Sequence, residues 1–121
     1  MELKKYIDNF KKIETPFYFY DIELLRKTFK EAKMQSQMIP RSMVHLAMKA
    51  NSNETILSYA RQAGFGIDAV SGGEISRAIK LGFYGNDIVF AGVGKTDKEI
   101  ITGLENDILC FNIESIPEIE I

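Results

Sequence analysis

Four times along its length the chain repeats one pattern: an apolar run, a Ser, Thr or Asn, a Glu three positions further on, and then an amphipathic stretch. Val44 to Met48 is followed by Asn51 and Glu54, and Phe65 to Val70 by Ser71 and Glu74. Ile88 to Val93 is followed by Thr96 and Glu99, and Ile108 to Ile113 by Ser115 and Glu118. In such a pair the first side chain accepts from the third amide of a helix while the Glu reaches back to the capping residue, so each pair reads as a strand followed by a helix start. The intervening helices carry apolar faces of Ile56, Leu57 and Ala60, of Ile75, Ala78 and Ile79, and of Ile100, Ile101 and Leu104. Gly64 and Gly82 stand where a left-handed residue would stop a helix. Units only about 20 residues apart call for parallel strands joined by crossovers, either in an open doubly wound sheet or in a closed (βα)8 barrel. Periodicity leaves both architectures open.

Upstream, Leu3, Tyr6, Ile7, Phe10 and Ile13 form one face of a short helix expected to dock on a core. Pro16 breaks that pattern, and Phe17 to Tyr20 reads as a short strand. Asp21 is placed to cap a further helix with Leu24, Leu25, Thr28, Phe29 and Ala32 on its inner face, ended by Pro40. Downstream, Ser115-Ile-Pro-Glu118 announces a fourth helix, but the sequence stops at Ile121. Four units are half of a barrel that takes about 250 residues. The expectation is therefore half a barrel within a longer chain, cut at the start of its fourth helix.

With 121 residues, 45% of them hydrophobic, there is apolar material for one core. Fifteen Lys and Arg against seventeen Asp and Glu are scattered, without the basic stripe that nucleic acid requires. No apolar run approaches the length of a signal sequence or a membrane span, which predicts a soluble, cytoplasmic protein without a membrane partner. Cys110 is the one cysteine, so no disulfide framework is available, and its apolar neighbours predict a buried, inert thiol.

Strand alternation puts His45, Ala47 and Lys49 on one face, with Lys49 at the carboxyl end of a parallel strand and next to a helix start. Active sites form there in both candidate architectures. A lysine held among apolar groups has its ammonium form disfavoured, and the neutral amine is the one that forms a Schiff base; an ordinary strand-end lysine reaching solvent is the plainer alternative. Asp68 shares a face with Gly66 and Val70, and a carboxylate in an apolar strand asks for a cation or for amide donors, whether in an active site or in a structural hydrogen bond. Glu74 is accounted for by its capping pair with Ser71. Gly72 and Gly73 suit either close approach of a ligand or a tight strand-to-helix turn. His45 is expected to be packed and hydrogen-bonded beneath the site. Gly92-Val-Gly-Lys-Thr96 ends like a phosphate-binding loop, but that loop needs a glycine at position 89, where Val stands.

Leu46-Ala-Met-Lys-Ala-Asn-Ser-Asn53, Gly64-Phe-Gly-Ile-Asp-Ala-Val-Ser-Gly-Gly-Glu74 and Ile88-Val-Phe-Ala-Gly-Val-Gly-Lys-Thr96 occur in order with Thr15-Pro-Phe-Tyr-Phe-Tyr-Asp21 and Phe111-Asn-Ile-Glu-Ser115. Together they resemble the diaminopimelate decarboxylases of the alanine-racemase-like, group IV decarboxylase family over nearly the whole chain. Leu46 departs from the aromatic residue often found there. The resemblance implies a carboxy-lyase of lysine biosynthesis with a pyridoxal-phosphate-binding (βα)8 TIM barrel, in a homodimer acting on a small amino acid. It implies Lys49 as the Schiff-base lysine that binds the cofactor, with Asp68 as a catalytic acidic residue near it. It also implies that residues 1–21 pack on a C-terminal β domain while residues 22–121 form part of the barrel. The family's phosphate-binding loop and the acidic partner of the pyridine nitrogen lie further along the barrel, so this stretch alone is expected to be inactive. Three alternatives remain: an ornithine- or arginine-type decarboxylase, a non-catalytic pyridoxal-phosphate carrier, and a half-barrel that pairs with a second copy.

Overall fold

In the computed structural model, which describes residues 3–120, the repeated units form one four-stranded sheet in the order β1-β2-β3-β4, with every pairing parallel. Before the sheet come a 3-10 turn at Leu3–Tyr6, α1 (Ile7–Phe10) and the longer α2 (Ile22–Ser36). The units themselves run β1 (His45–Ala47), α3 (Glu54–Gln62), β2 (Gly66–Ala69), α4 (Gly72–Lys80), β3 (Ile88–Phe90), α5 (Asp97–Glu105) and β4 (Cys110–Phe111). A 3-10 turn at Ile116–Glu120 takes the place of the expected fourth helix. The architecture is the α/β type expected, with four parallel strands in an unclosed sheet.

Alternation divides the sheet into two unlike faces. On one, Ile67, Ala69 and Ile88 are wholly buried and Phe90 is nearly so, packed with Met48, Leu57, Ile75, Ala78 and Phe83. A second cluster of Phe29, Ile56, Ala60 and Phe65 joins α2 to α3 beside β1, where the Phe29 and Phe65 rings lie 5.0 Å apart. On the other face, His45, Ala47, Asp68 and Val89 are only half-buried and Cys110 is exposed. Cys110 is thus no inert core thiol. It lies on the last strand and looks out from the uncovered face.

The helical faces follow the same division. Ile56, Leu57, Ala60, Ile75 and Ala78 are buried, whereas Ile101 and Leu104 of α5, and Leu24 of α2, are exposed because no element packs outside them. Gly103 is the buried residue of α5: a Cβ there would sit 2.6 Å from the Phe111 ring, so its bare backbone is what lets β4 seat against the helix. Gly64 and Gly82 take the expected left-handed φ of 75° and 85° after α3 and α4.

Phe17 to Tyr20 forms no strand, since no neighbouring strand offers it hydrogen bonds. The Phe17 and Phe19 rings gather instead with Tyr6 and Phe10, at centroid distances of 4.9 Å for Tyr6–Phe19 and 5.5 Å for Phe10–Phe17. The helix expected over residues 1–13 is reduced to the two short turns, none of whose described residues is buried. Met1 and Glu2 lie outside the described residues.

Of the four capping pairs, one closes as a full box. Thr96 accepts from the Glu99 amide, and Glu99 Oε2 accepts from the Thr96 amide at 3.1 Å. Asp21 caps α2 as expected, and Ser71 caps α4 by accepting from the Glu74 amide, while the Glu74 carboxylate reaches one residue further back, to the Val70 amide at 2.8 Å. In the first unit the cap is Asn53, which accepts from Thr55 and Ile56; Asn51 is displaced because a 3-10 turn, Met48–Ala50, intervenes between strand and helix. In the last unit Ser115 caps only through its carbonyl, and Glu118 accepts from the Glu114 amide instead.

Glu99 also bridges units, its Oε1 accepting from the Gly72 amide at the start of α4 at 3.0 Å. The amides of Gly72 and Thr96, with the Thr96 hydroxyl, hold its carboxyl below the usual range. Replacing it, as in Glu99→Ala, strips acceptors from two helix starts at once, and the expected loss is about 1–2 kcal/mol. Urea unfolding reads that loss as a lower midpoint at unchanged slope; an unmoved midpoint would show the bridge to be idle.

Candidate active site

The carboxyl ends of the four strands meet the helix starts along one edge of the sheet, and the sequence-derived candidates divide between that edge and the open face. Lys49 lies in the Met48–Ala50 turn, anchored by the fully buried Met48 before it. Its side chain is exposed, so the expectation of an amine desolvated by apolar neighbours does not hold for the described residues. The turn is fixed from two sides. Asn51 donates from Nδ2 to the Tyr20 hydroxyl at 2.9 Å and accepts from the Asn53 amide, and Arg77 of α4 donates to the Ser52 carbonyl at 3.2 Å.

Asp68 stands in β2 between Ala47 of β1 and Val89 of β3, neither of which can donate to it. Among the described residues its Oδ1 is buried and has no hydrogen-bond partner. A buried acceptor without a donor costs about 1–3 kcal/mol. Such an oxygen fits a group that brings its own proton or positive charge to this face.

His45 lies one row deeper, on the same face, over Gly66. A Cβ on Gly66 would be 2.5 Å from His45 Cδ2, so the glycine's missing side chain is the space the imidazole fills. The ring is packed as the sequence suggested, but the hydrogen bond is not made: Nε2 is buried without a partner. Burial pushes the imidazole pKa below its ordinary value, with the carboxylates of Asp68 and then Asp87 pulling it part of the way back. Near neutral pH it carries no charge.

Gly72 serves the fold, because a Cβ there would press on Glu99 Cγ at 2.9 Å; Gly73 has room around it. The phosphate-loop-like stretch is also accounted for. Lys95 is buried, pairing with Glu118 Oε1 at 2.6 Å and donating to the Asn112 carbonyl at 2.7 Å, with the Phe90 ring 5.3 Å away. Lys95, first of all, and the Glu114 amide keep the Glu118 carboxyl below its usual range.

Sequence reasoning missed this ion pair and the bridging role of Glu99. Long-range pairing leaves no local spacing to find, although a lysine directly before a helix cap in an apolar stretch is a signal that it needs a carboxylate. The grooves beside α2, lined by Phe29, Lys33, Met34 and Tyr59 among others, lie away from the strand ends and bring none of the candidates together. No helix among the described residues is long and apolar enough to cross a membrane.

Residues 24–121 match the family model described as the pyridoxal-binding domain of pyridoxal-dependent decarboxylases. A diaminopimelate decarboxylase of Bacteroides thetaiotaomicron is 51% identical over 115 residues, which is 95% of this chain and 30% of the relative. The crystal structure of diaminopimelate decarboxylase from Helicobacter pylori complexed with L-lysine superposes with a TM-score of 0.83 at 40% identity, covering 95% of this chain and 29% of the other. The M. jannaschii enzyme, also in complex with L-lysine, gives 0.82 at 33% identity over 94% of this chain and 27% of its own. The chain thus spans less than a third of the relatives it matches.

His45 makes a pH signature at this site. An unfolded imidazole takes its proton near pH 6.5, the folded one only lower, so acidification from about pH 7.5 to about pH 5.5 favours unfolding at this residue. Glu99 and Glu118, whose carboxyls are held below 4.5, keep their contributions across that window and lose them only further down. The wild type is therefore expected to lose more thermal stability than His45→Gln over this range. Parallel melting curves at the two pH values would contradict the burial of the imidazole.

Proposed function

We propose, on the premise that this chain belongs to the pyridoxal-dependent decarboxylases, that the protein carrying it converts meso-diaminopimelate to L-lysine, with Lys49 as the amine that holds pyridoxal phosphate and Asp68 as the carboxylate beside it. The observation that carries this reading is the unpartnered, buried Oδ1 of Asp68, in the strand beside the one that runs into the Lys49 turn, an acceptor suited to a cationic nitrogen. The cofactor would supply an electron sink for the pair left when carbon dioxide departs.

The chain's own residues do the holding. Lys49 sits on a turn braced by Asn51, Tyr20 and Arg77, so its backbone is fixed while its long side chain stays free to hold the cofactor and to yield its place to the substrate's amino group. The exposure of Nζ suits that exchange better than deep burial would. Asp68, flanked by Ala47 and Val89, has no competing cation across the strands and can keep its charge for the site. The lysine bound in the two matched decarboxylase structures supports lysine as the product.

Three wider elements belong to the same proposal. Residues 1–21 would form the part that packs against a separate β domain, residues 22–121 would complete a closed barrel with the rest of the enzyme, and the enzyme would work as a cytoplasmic homodimer. The paired Tyr6, Phe10, Phe17 and Phe19 rings, aromatic yet not buried, fit a segment made for such packing.

Borohydride reduction of the full-length holoenzyme followed by peptide mapping is expected to place a pyridoxyl group on Lys49; an adduct on another lysine would overturn the assignment. Lys49→Ala is expected to lower kcat for diaminopimelate by at least about a hundredfold. Asp68→Asn is expected to lower kcat/KM by about ten- to a hundredfold, the effect of losing one charged hydrogen bond.

A further inference from the structure

We infer that Tyr20 is a positioning residue for Lys49: its hydroxyl, by accepting from Asn51, fixes the direction in which the Lys49 turn leaves β1. The inference rests on the role proposed for Lys49.

Asn51 is the residue that its spacing marks as a cap for α3 and that the structure relieves of that task, since Asn53 caps the helix instead. Its side chain is committed elsewhere. Oδ1 accepts from the Asn53 amide at 2.9 Å, closing a local turn, and this leaves Nδ2 to donate to the Tyr20 hydroxyl at 2.9 Å. The first bond spans two residues and shapes only the loop itself. The second spans 31 residues and decides where the loop stands.

Tyr20 is itself held in place. Asp21, directly after it, caps α2 by accepting from the Leu24 amide at 3.0 Å. The cluster of Phe29, Ile56, Ala60 and Phe65 holds α2 against α3, and α3 begins where the Lys49 loop ends. The bond from Asn51 to Tyr20 therefore closes a ring of contacts that runs from the Lys49 turn through α3 and α2 and back to the turn. Upstream, Phe17 and Phe19 gather with Tyr6 and Phe10, which leaves Tyr18 and Tyr20 to stack on each other with centroids 6.4 Å apart.

The other long-range tie on the loop, from Arg77 to the Ser52 carbonyl, acts one residue further on. Without the Tyr20 hydroxyl the stretch between the buried Met48 and Ser52 is free to pivot, and Lys49 lies within it. Because the bond to Tyr20 is exposed, water can take either partner's place, so its loss costs the fold little and acts through geometry. A small displacement of a reacting group is enough to slow turnover.

The test is a double-mutant cycle in the full-length holoenzyme. Tyr20→Phe removes the hydroxyl and keeps the ring, while Asn51→Ser keeps an acceptor for the Asn53 amide but cannot reach Tyr20. Tyr20→Phe is expected to lower kcat for diaminopimelate about three- to tenfold, the effect of one neutral hydrogen bond, with KM and melting temperature near wild-type values. In the Asn51→Ser background the same substitution is expected to lower kcat no further. Tyr18→Phe is the control, because the Tyr18 side chain is exposed and its hydroxyl bonds to nothing among the described residues; its kcat is expected to match the wild type. An unchanged kcat in Tyr20→Phe, equal losses in both backgrounds, or the same loss in Tyr18→Phe overturns the inference, whatever the melting temperatures do. Borohydride mapping keeps the two readings apart: a pyridoxyl group on Lys49 without coupling between Tyr20 and Asn51 refutes the positioning role alone, whereas an adduct on another lysine refutes the assignment of Lys49 itself.

Discussion

Parallel strands cannot be joined by a tight turn, so every strand in this chain must be followed by a crossover, and every crossover begins by exposing helix amides at the strand's carboxyl end. The rest of the structure is organised around satisfying those amides. Asn53, Ser71 and Thr96 accept from the first turns of α3, α4 and α5, and the glutamates do more than cap. Each unit also braces another: Arg77 of α4 holds the loop after β1, Glu99 of α5 holds the start of α4, and Lys95 before α5 holds the backbone after β4. The edge that carries the candidate site is thereby a connected polar frame rather than a set of separate loops. The turn bearing Lys49 inherits its rigidity from that frame.

The apolar face is the part of the fold most legible from the amino-acid order. Ile56, Leu57, Ala60, Ile75 and Ala78 are buried where helical spacing puts them, because β-strand and helix periods both act locally and the sheet's inner face demands continuous apolar side chains. Exposed positions were harder to foresee. Ile101, Leu104 and Leu24 obey the same periodicity, but burial needs a partner surface and no local spacing reveals whether one exists. Phe17 to Tyr20 has strand composition without a strand to pair with, and Cys110 has core-like neighbours but lands on the uncovered face. In each case propensity was right about the residue and silent about what lies opposite.

The candidate site was readable to a different depth. Strand alternation puts His45, Ala47 and Lys49 on one side and Asp68 on a neighbouring strand's matching face, and the register sets Ala47 opposite Asp68 with His45 on the same face. Alternation failed at the last step, because the backbone leaves the strand at Met48 and carries Lys49 in a 3-10 turn. The fit of His45 over Gly66 needed three dimensions: the two residues are 21 positions apart, and only the strand pairing makes the glycine the imidazole's floor.

Lys95 shows how the two faces divide the work of charge. Its sequence setting resembles an anion-binding loop, yet a buried ammonium already committed to a carboxylate and a carbonyl cannot meet a phosphate without leaving Glu118 unpaired. Removing one member of a buried pair costs more than the pair contributes, so the arrangement holds that lysine to a structural task. Lys49 is the contrast: exposed and on a braced turn, it makes no ion pair among the described residues. Satisfied polar groups build this edge, whereas on the open face the Asp68 Oδ1 has no donor among the described residues.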